Sequence, residues 1–180
     1  MSLLRFLGLD AKDRRAAPAG ETETVRRIAE RLERLDAATA KYLAAFAYVL
    51  ARVAHSDLRI DAAETEEMLR VVRTLAELSD EEAALVVEIA KSQARLLGGT
   101  ENYVVTREFG RIATPGQRAG LLQCLYAVAA ADGSISGLES TEIDAIADEL
   151  GFSRPEALGL RAAWREKLAV LRDLPKAGGR

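Results

Sequence analysis

The segment Val53-Ala54-His55-Ser56-Asp57-Leu58-Arg59-Ile60 returns 75 residues later as Val128-Ala129-Ala130-Ala131-Asp132-Gly133-Ser134-Ile135. At the same offset Leu50 falls on Leu125, Glu64 on Glu139, Glu67 on Glu142, Met68 on Ile143, Val71 on Ile146 and Leu75 on Leu150. After a slip of one residue, Leu78-Ser79 falls on Phe152-Ser153 and Glu82-Ala83 on Glu156-Ala157. Each unit reads as helix, loop, helix, helix. Neither unit can bury its apolar faces alone, so the two must pack on each other around shared central helices, with approximate two-fold symmetry. The expectation is an all-α chain: one helical domain of about seven to eight helices. Its bounds are 22–174, with repeat one over 36–97 and repeat two over 112–171. Residues 1–21 form an apolar segment and linker, and 175–180 a disordered tail.

Local signals agree with helices. Val25, Ile28, Ala29, Leu32 and Leu35 recur on one face of a 3.6-residue period. Asp36 caps a long, largely apolar and therefore central helix. Asp61-Ala62-Ala63-Glu64, Ser79-Asp80-Glu81-Glu82, Thr114-Pro115-Gly116-Gln117, Ser136-Gly137-Leu138-Glu139 and Ser153-Arg154-Pro155-Glu156 mark further starts. In each, an N-cap oxygen and an acid or amide three positions later satisfy otherwise orphaned amide donors. Residues 101–111 carry the strand-prone run Tyr103-Val104-Val105-Thr106, yet they are read as helix. Ala16 to Glu21, with Pro18 and Gly20, reads as a flexible joint.

Composition narrows the function. With 25 Lys and Arg against 28 Asp and Glu, and 5% aromatic residues, the chain has neither the basic charge nor the stacking inventory for nucleic acid. One histidine, His55, excludes zinc sites built on several His or Cys ligands, and one cysteine, Cys124, excludes an internal disulfide. Cys124 aligns with Val49 and reads as a core residue; Trp164 is expected to pack against the first unit. No run of about 18 apolar residues occurs, so nothing spans a bilayer. Leu3, Leu4, Phe6, Leu7 and Leu9 precede Lys12, Arg14 and Arg15, the reverse of a signal peptide, which argues for a cytoplasmic protein. This segment is expected to dock on the protein's own core, with peripheral membrane or partner contact as the alternative.

Acids crowd around the repeated loops. Residues 61–90 hold nine acids and two bases, and residues 132–150 hold six acids and no Lys or Arg. Asp132-Gly133-Ser134-Ile135 followed by Glu139 matches the latter half of an EF-hand loop, but the first and third ligand positions would be Val128 and Ala130, which have no side-chain oxygen. If packing brings the repeated loops to one side, Asp57, Glu64, Asp132 and Glu139 form an oxygen-rich patch for a hard divalent cation or a basic partner, with Asp61, Glu67 and Glu142 as additional candidates. The competing reading makes these residues helix caps and turn formers. After Leu150 the balance reverses, with Arg154, Arg161, Arg165, Lys167, Arg172, Lys176 and Arg180 against three acids.

The paired apolar helix, the A-D-G-S-I turn from Ala131 to Ile135, and the helix reading I-D-A-I-A-D-E-L-G from Ile143 to Gly151 resemble the TerB tellurite-resistance family and the related N-terminal domain of DjlA-type co-chaperones. The likeness spans about Asp36 to Leu171. It implies an all-helical, pseudo-symmetric domain with an acidic, metal-holding face, acting in membrane-associated stress complexes with other Ter proteins. Asp132 and Glu139 match the family's acidic motif, and Asp57 and Glu64 its first-repeat counterpart. Leu58 departs from the glycine of that motif. The His-Pro-Asp tripeptide of a J-domain is not in this sequence.

The expectation is a non-enzymatic binding module whose acidic face takes a divalent cation or a basic protein partner, with no nucleotide or organic cofactor. A metal-dependent enzyme using the acidic cluster and a purely structural scaffold are the alternatives.

Overall fold

Short polar side chains set where the helices begin. Asp36 Oδ1 accepts the Ala38 and Thr39 amides, both at 3.0 Å. The Ser79 amide and hydroxyl donate to Glu82 Oε2 at 2.9 and 2.6 Å. Thr114 with Gln117 and Ser136 with Glu139 close reciprocal capping boxes, and the Ser153 amide and hydroxyl donate to Glu156. These bonds satisfy donors that have no partner inside the first turn.

The computed structural model describes residues 19–53, 62–93, 102–131 and 133–168. Among them run eight α-helices: α1 Ala19–Glu33, α2 Ala37–Val53, α3 Ala62–Leu75, α4 Asp80–Gln93, α5 Asn102–Ile112, α6 Pro115–Ala129, α7 Gly137–Glu149 and α8 Arg154–Ala162. A short 3-10 turn follows at Arg165–Lys167. No strand occurs among the described residues; the Ile135 amide donates to the Lys167 carbonyl at 2.7 Å in an isolated bridge. As the repeat requires, α3 and α7 start 75 residues apart, and α4 and α8 start 74 apart.

The core forms around α2, in which every residue from Leu43 to Ala51 is buried. Its alanines leave room for neighbours on all sides, and α1, α4, α5, α6 and α7 all pack on it. Tyr42, Phe46 and Phe109 form a ring cluster that joins α2 to α5, with centroids 5.4 to 6.0 Å apart. That cluster explains why strand-prone residues end up helical: Val105, Thr106 and Phe109 lie buried on one face of α5, while Tyr103 and Val104 point out.

Contacts along each pair fix the helix directions. Arg27 bonds Glu88 and Arg31 bonds the Glu81 carbonyl, so α1 and α4 are antiparallel. A Cβ on Gly120 would lie 2.7 Å from the Leu75 carbonyl oxygen, and Cys124 Sγ lies 3.8 Å from the Val71 carbonyl, so α3 and α6 are antiparallel. Gly110 abuts the Leu150 carbonyl, bringing the C-terminal ends of α5 and α7 together. The turns at 34–36, 76–79, 113–114 and 150–153 therefore gather at one end of the bundle. The starts of α1, α3, α5 and α7 and the ends of α2, α4 and α6 gather at the other, and Lys91 Nζ to Thr65 Oγ1 (2.8 Å) ties two of them.

Two expectations are corrected. Helix α1 begins at Ala19, inside the segment read as a flexible joint, because Gly20 falls in the first turn, where helix propensity weighs least. Trp164 bonds Gln123 Oε1 at 2.7 Å and stacks on Tyr126, both on α6, so it anchors to its own repeat rather than to the first. The indole needs an acceptor as well as an apolar face, and Gln123 supplies it. The N-terminal segment 1–9, His55 and the tail lie outside the described residues.

Candidate functional site: the acidic end of the bundle

Among the described candidates, Glu64 and Glu139 stand in the first turns of α3 and α7, at the end where α2 and α6 stop. The described helix ends that flank Asp57 and those that flank Asp132 lie at this same end, although Asp57, Asp61 and Asp132 are themselves outside the described residues. Glu64 is described by its backbone alone, in the first turn of α3. Gly133 takes a φ of 101°, a left-handed conformation that favours glycine and turns the chain from α6 toward α7.

Glu139 sits at the third position of α7, where its Oε2 accepts the Ser136 amide at 2.8 Å while the Ser136 hydroxyl accepts the Glu139 amide at 3.2 Å. It therefore fulfils the cap role read from its sequence. Glu67 is committed locally: Arg70 bonds both its oxygens at 2.5 and 2.8 Å and holds its carboxyl below the usual range.

Glu142, its side chain still 39% exposed, pairs across from α7 to α2. There Arg52, near the end of α2, bonds it through Nε at 2.9 Å, bonds Glu149 Oε2 through Nη1 at 2.5 Å, and bonds Thr106 Oγ1 at 2.6 Å. The guanidinium side chain is only 5% exposed. Burial alone would push Arg52 down, but the Glu149 and Glu142 carboxylates outweigh it and hold it above its ordinary value. One buried cation thus fastens α2, α5 and α7 together. The repeat comparison missed Arg52 because its counterpart is Ala127; the available signal was a lone arginine near the end of an apolar helix, opposite a stretch with no base of its own.

Among the described residues, no three His, Cys, Asp or Glu side chains converge as a metal-binding group. Cys124 is fully buried, and burial pushes its thiol up to about 12, which suits a packing role. No described helix is long and apolar enough to cross a membrane.

No curated protein and no solved structure matches the chain. The sequence profile of the family described as tellurite resistance protein TerB matches residues 41–162, which runs from the second turn of α2 to the end of α8 and covers more than half of the chain. The fold and this match together place the chain in the TerB tellurite-resistance family.

Proposed function

We propose that this TerB-family chain is a non-enzymatic binding module whose acidic end recruits positive charge, either a divalent cation or the basic surface of a protein partner, in a tellurite or stress response. The observation that carries the reading is the gathering, at one end of the bundle, of the helix ends that flank both repeated acidic loops. Carboxylates held there on rigid helix starts repel one another unless a cation or a basic side chain sits among them, and that supplies the affinity. The partner is a protein such as another Ter-type or membrane-associated stress component, met in the cytoplasm or at the membrane periphery.

Calorimetric titration of metal-free protein with calcium, magnesium, manganese and zinc, and separately with an oligolysine peptide, tests the reading. The same titrations on Asp132→Asn with Glu139→Gln give the control. A saturable signal lost in the double variant supports the proposal. If neither cations nor the peptide give a signal that depends on these residues, the acidic end is a set of helix caps and the proposal fails.

A further inference from the structure

In the first repeat α4 lies beneath another helix. Arg27 of α1 bonds Glu88, and Arg31 bonds both Glu88 and the Glu81 carbonyl, so α1 runs over the line Glu81, Ala84, Leu85 and Glu88, which is one face of α4 at helical spacing. Ile28 and Leu32, one turn apart on α1, are each 2% exposed, and Leu85 and Ile89 on α4 are buried as well.

The equivalent face of α8 is open to solvent. At the offset of 74 that relates α4 to α8, the covered line becomes Pro155, Leu158, Gly159 and Ala162, followed by Ala163, and all five are exposed. Helix α8 meets α6 and α7 through its opposite face, where Ala157, Leu160 and Trp164 are partly buried, and none of its residues is fully buried. Gly159 stands in the middle of the open face, with nothing within 4 Å of the position a Cβ would take. A glycine inside a helix weakens it, and no packing among the described residues requires this one. On an outer face it lets a second backbone come close.

Charge around this face has the opposite sign to that on α4. Glu81 and Glu88, which meet the arginines of α1, give way to Pro155 and Ala162. Glu156 is taken up by the Ser153 cap, and Arg161 by Asp144 at 2.8 Å. The other exposed charges are Arg154 at the start of α8 and Arg165, Glu166 and Lys167 past its end, three bases against one acid.

We infer that the outer face of α8 docks an amphipathic helix of a partner protein. That helix lays two apolar residues a turn apart across Leu158 and Gly159, on the pattern of Ile28 and Leu32 in α1, and carries acids where α1 carries Arg27 and Arg31. It completes the second repeat as α1 completes the first. Such a partner is opposite in charge to the one that suits the acidic end, and its docking does not depend on that end.

The test uses the full chain and a fluorescein-labelled peptide copied from residues 19–36 with Arg27→Glu and Arg31→Glu. Fluorescence anisotropy should show saturable binding, at least ten-fold tighter than for the same peptide with its arginines retained. Leu158→Asp should weaken binding at least ten-fold, and Arg154→Glu with Arg165→Glu should reverse the preference between the two peptides. Thermal melts of these variants should stay close to that of the unaltered chain, since all three side chains are exposed. Absence of saturable binding overturns the proposal, and so does binding that both α8 variants leave intact. Concentration-dependent self-association in sedimentation velocity, abolished by Leu158→Asp, overturns it as well and makes a second copy of the chain the occupant.

Discussion

Arg52 on α2 and Glu149 at the last position of α7 meet in a two-pronged ion pair, Nη1 to Oε2 at 2.5 Å and Nη2 to Oε1 at 3.4 Å. The pair joins the two repeats through residues that have no equivalent across them: Arg52 aligns with Ala127, and Glu149 with Thr74. A nearly buried charge of this kind contributes chiefly by being expensive to orphan. Arg52→Ala should destabilise the chain by about 3 kcal/mol, because Glu149 is left poorly solvated. Arg52→Met should cost no more than that. Urea unfolding measures both, and a loss under about 1 kcal/mol for the alanine variant would show that the pair adds little.

Glu142 belongs to the same cluster, which separates it from the other acidic candidates. Glu142→Gln should lower the urea midpoint while leaving any cation affinity of the acidic end unchanged. A variant that keeps its midpoint but loses cation binding would return Glu142 to the ligand set.

Two glycines should respond in opposite directions. A Cβ at Gly120 would stand 2.7 Å from the Leu75 carbonyl and 3.4 Å from Ala76 Cα, where backbone has nowhere to move. Gly120→Ala should therefore destabilise by about 1 to 3 kcal/mol through forced separation of α3 and α6. Around Gly159, inside α8, nothing lies within 4 Å, so Gly159→Ala should stabilise by up to about 1 kcal/mol through helix propensity. Thermal melts of the two variants should move to opposite sides of the unaltered protein, and a shift of both in one direction would refute this account.

The cap at Ser136 offers a way to weigh structure against binding. Ser136→Ala removes the acceptor for the Glu139 amide and should cost about 1 kcal/mol. It leaves the Glu139 carboxylate in the chain, so binding by the acidic end should persist at temperatures below the melt. Loss of both together at low temperature would mean that cap and binding site are one.

Acid should weaken the fold from a defined point. Hydrogen bonds from Lys41 hold Glu108 below its ordinary 4.5, and Arg70 does the same for Glu67. A carboxylate lowered in the folded state stabilises fully above its unfolded pKa, and that contribution disappears as pH falls through the folded one. The urea midpoint should thus hold steady from pH 7 to about 5.5 and decline below about 4.5. In Glu108→Gln the decline should be shallower, and an unchanged slope would remove Glu108 from the explanation.

Local chemistry was legible in the sequence alone because caps and amphipathic faces depend on neighbours three or four residues away. Asp36, Ser79, Thr114, Ser136 and Ser153 each announced a helix start that the structure bears out, and the apolar run from Leu43 to Ala51 announced the central helix. The repeat likewise announced the matching starts of α3 and α7, 75 residues apart. Tertiary structure decided what depends on distant partners. It made strand-prone Val105 and Thr106 helical by burying them beside Phe109, and it turned Trp164 to Gln123 rather than to the first unit. It also engaged Glu142 in an ion pair with a residue 90 positions away. A side chain's spacing along one helix says which face it occupies, but only the helix packed against that face determines whether it meets solvent, a ligand or a buried arginine.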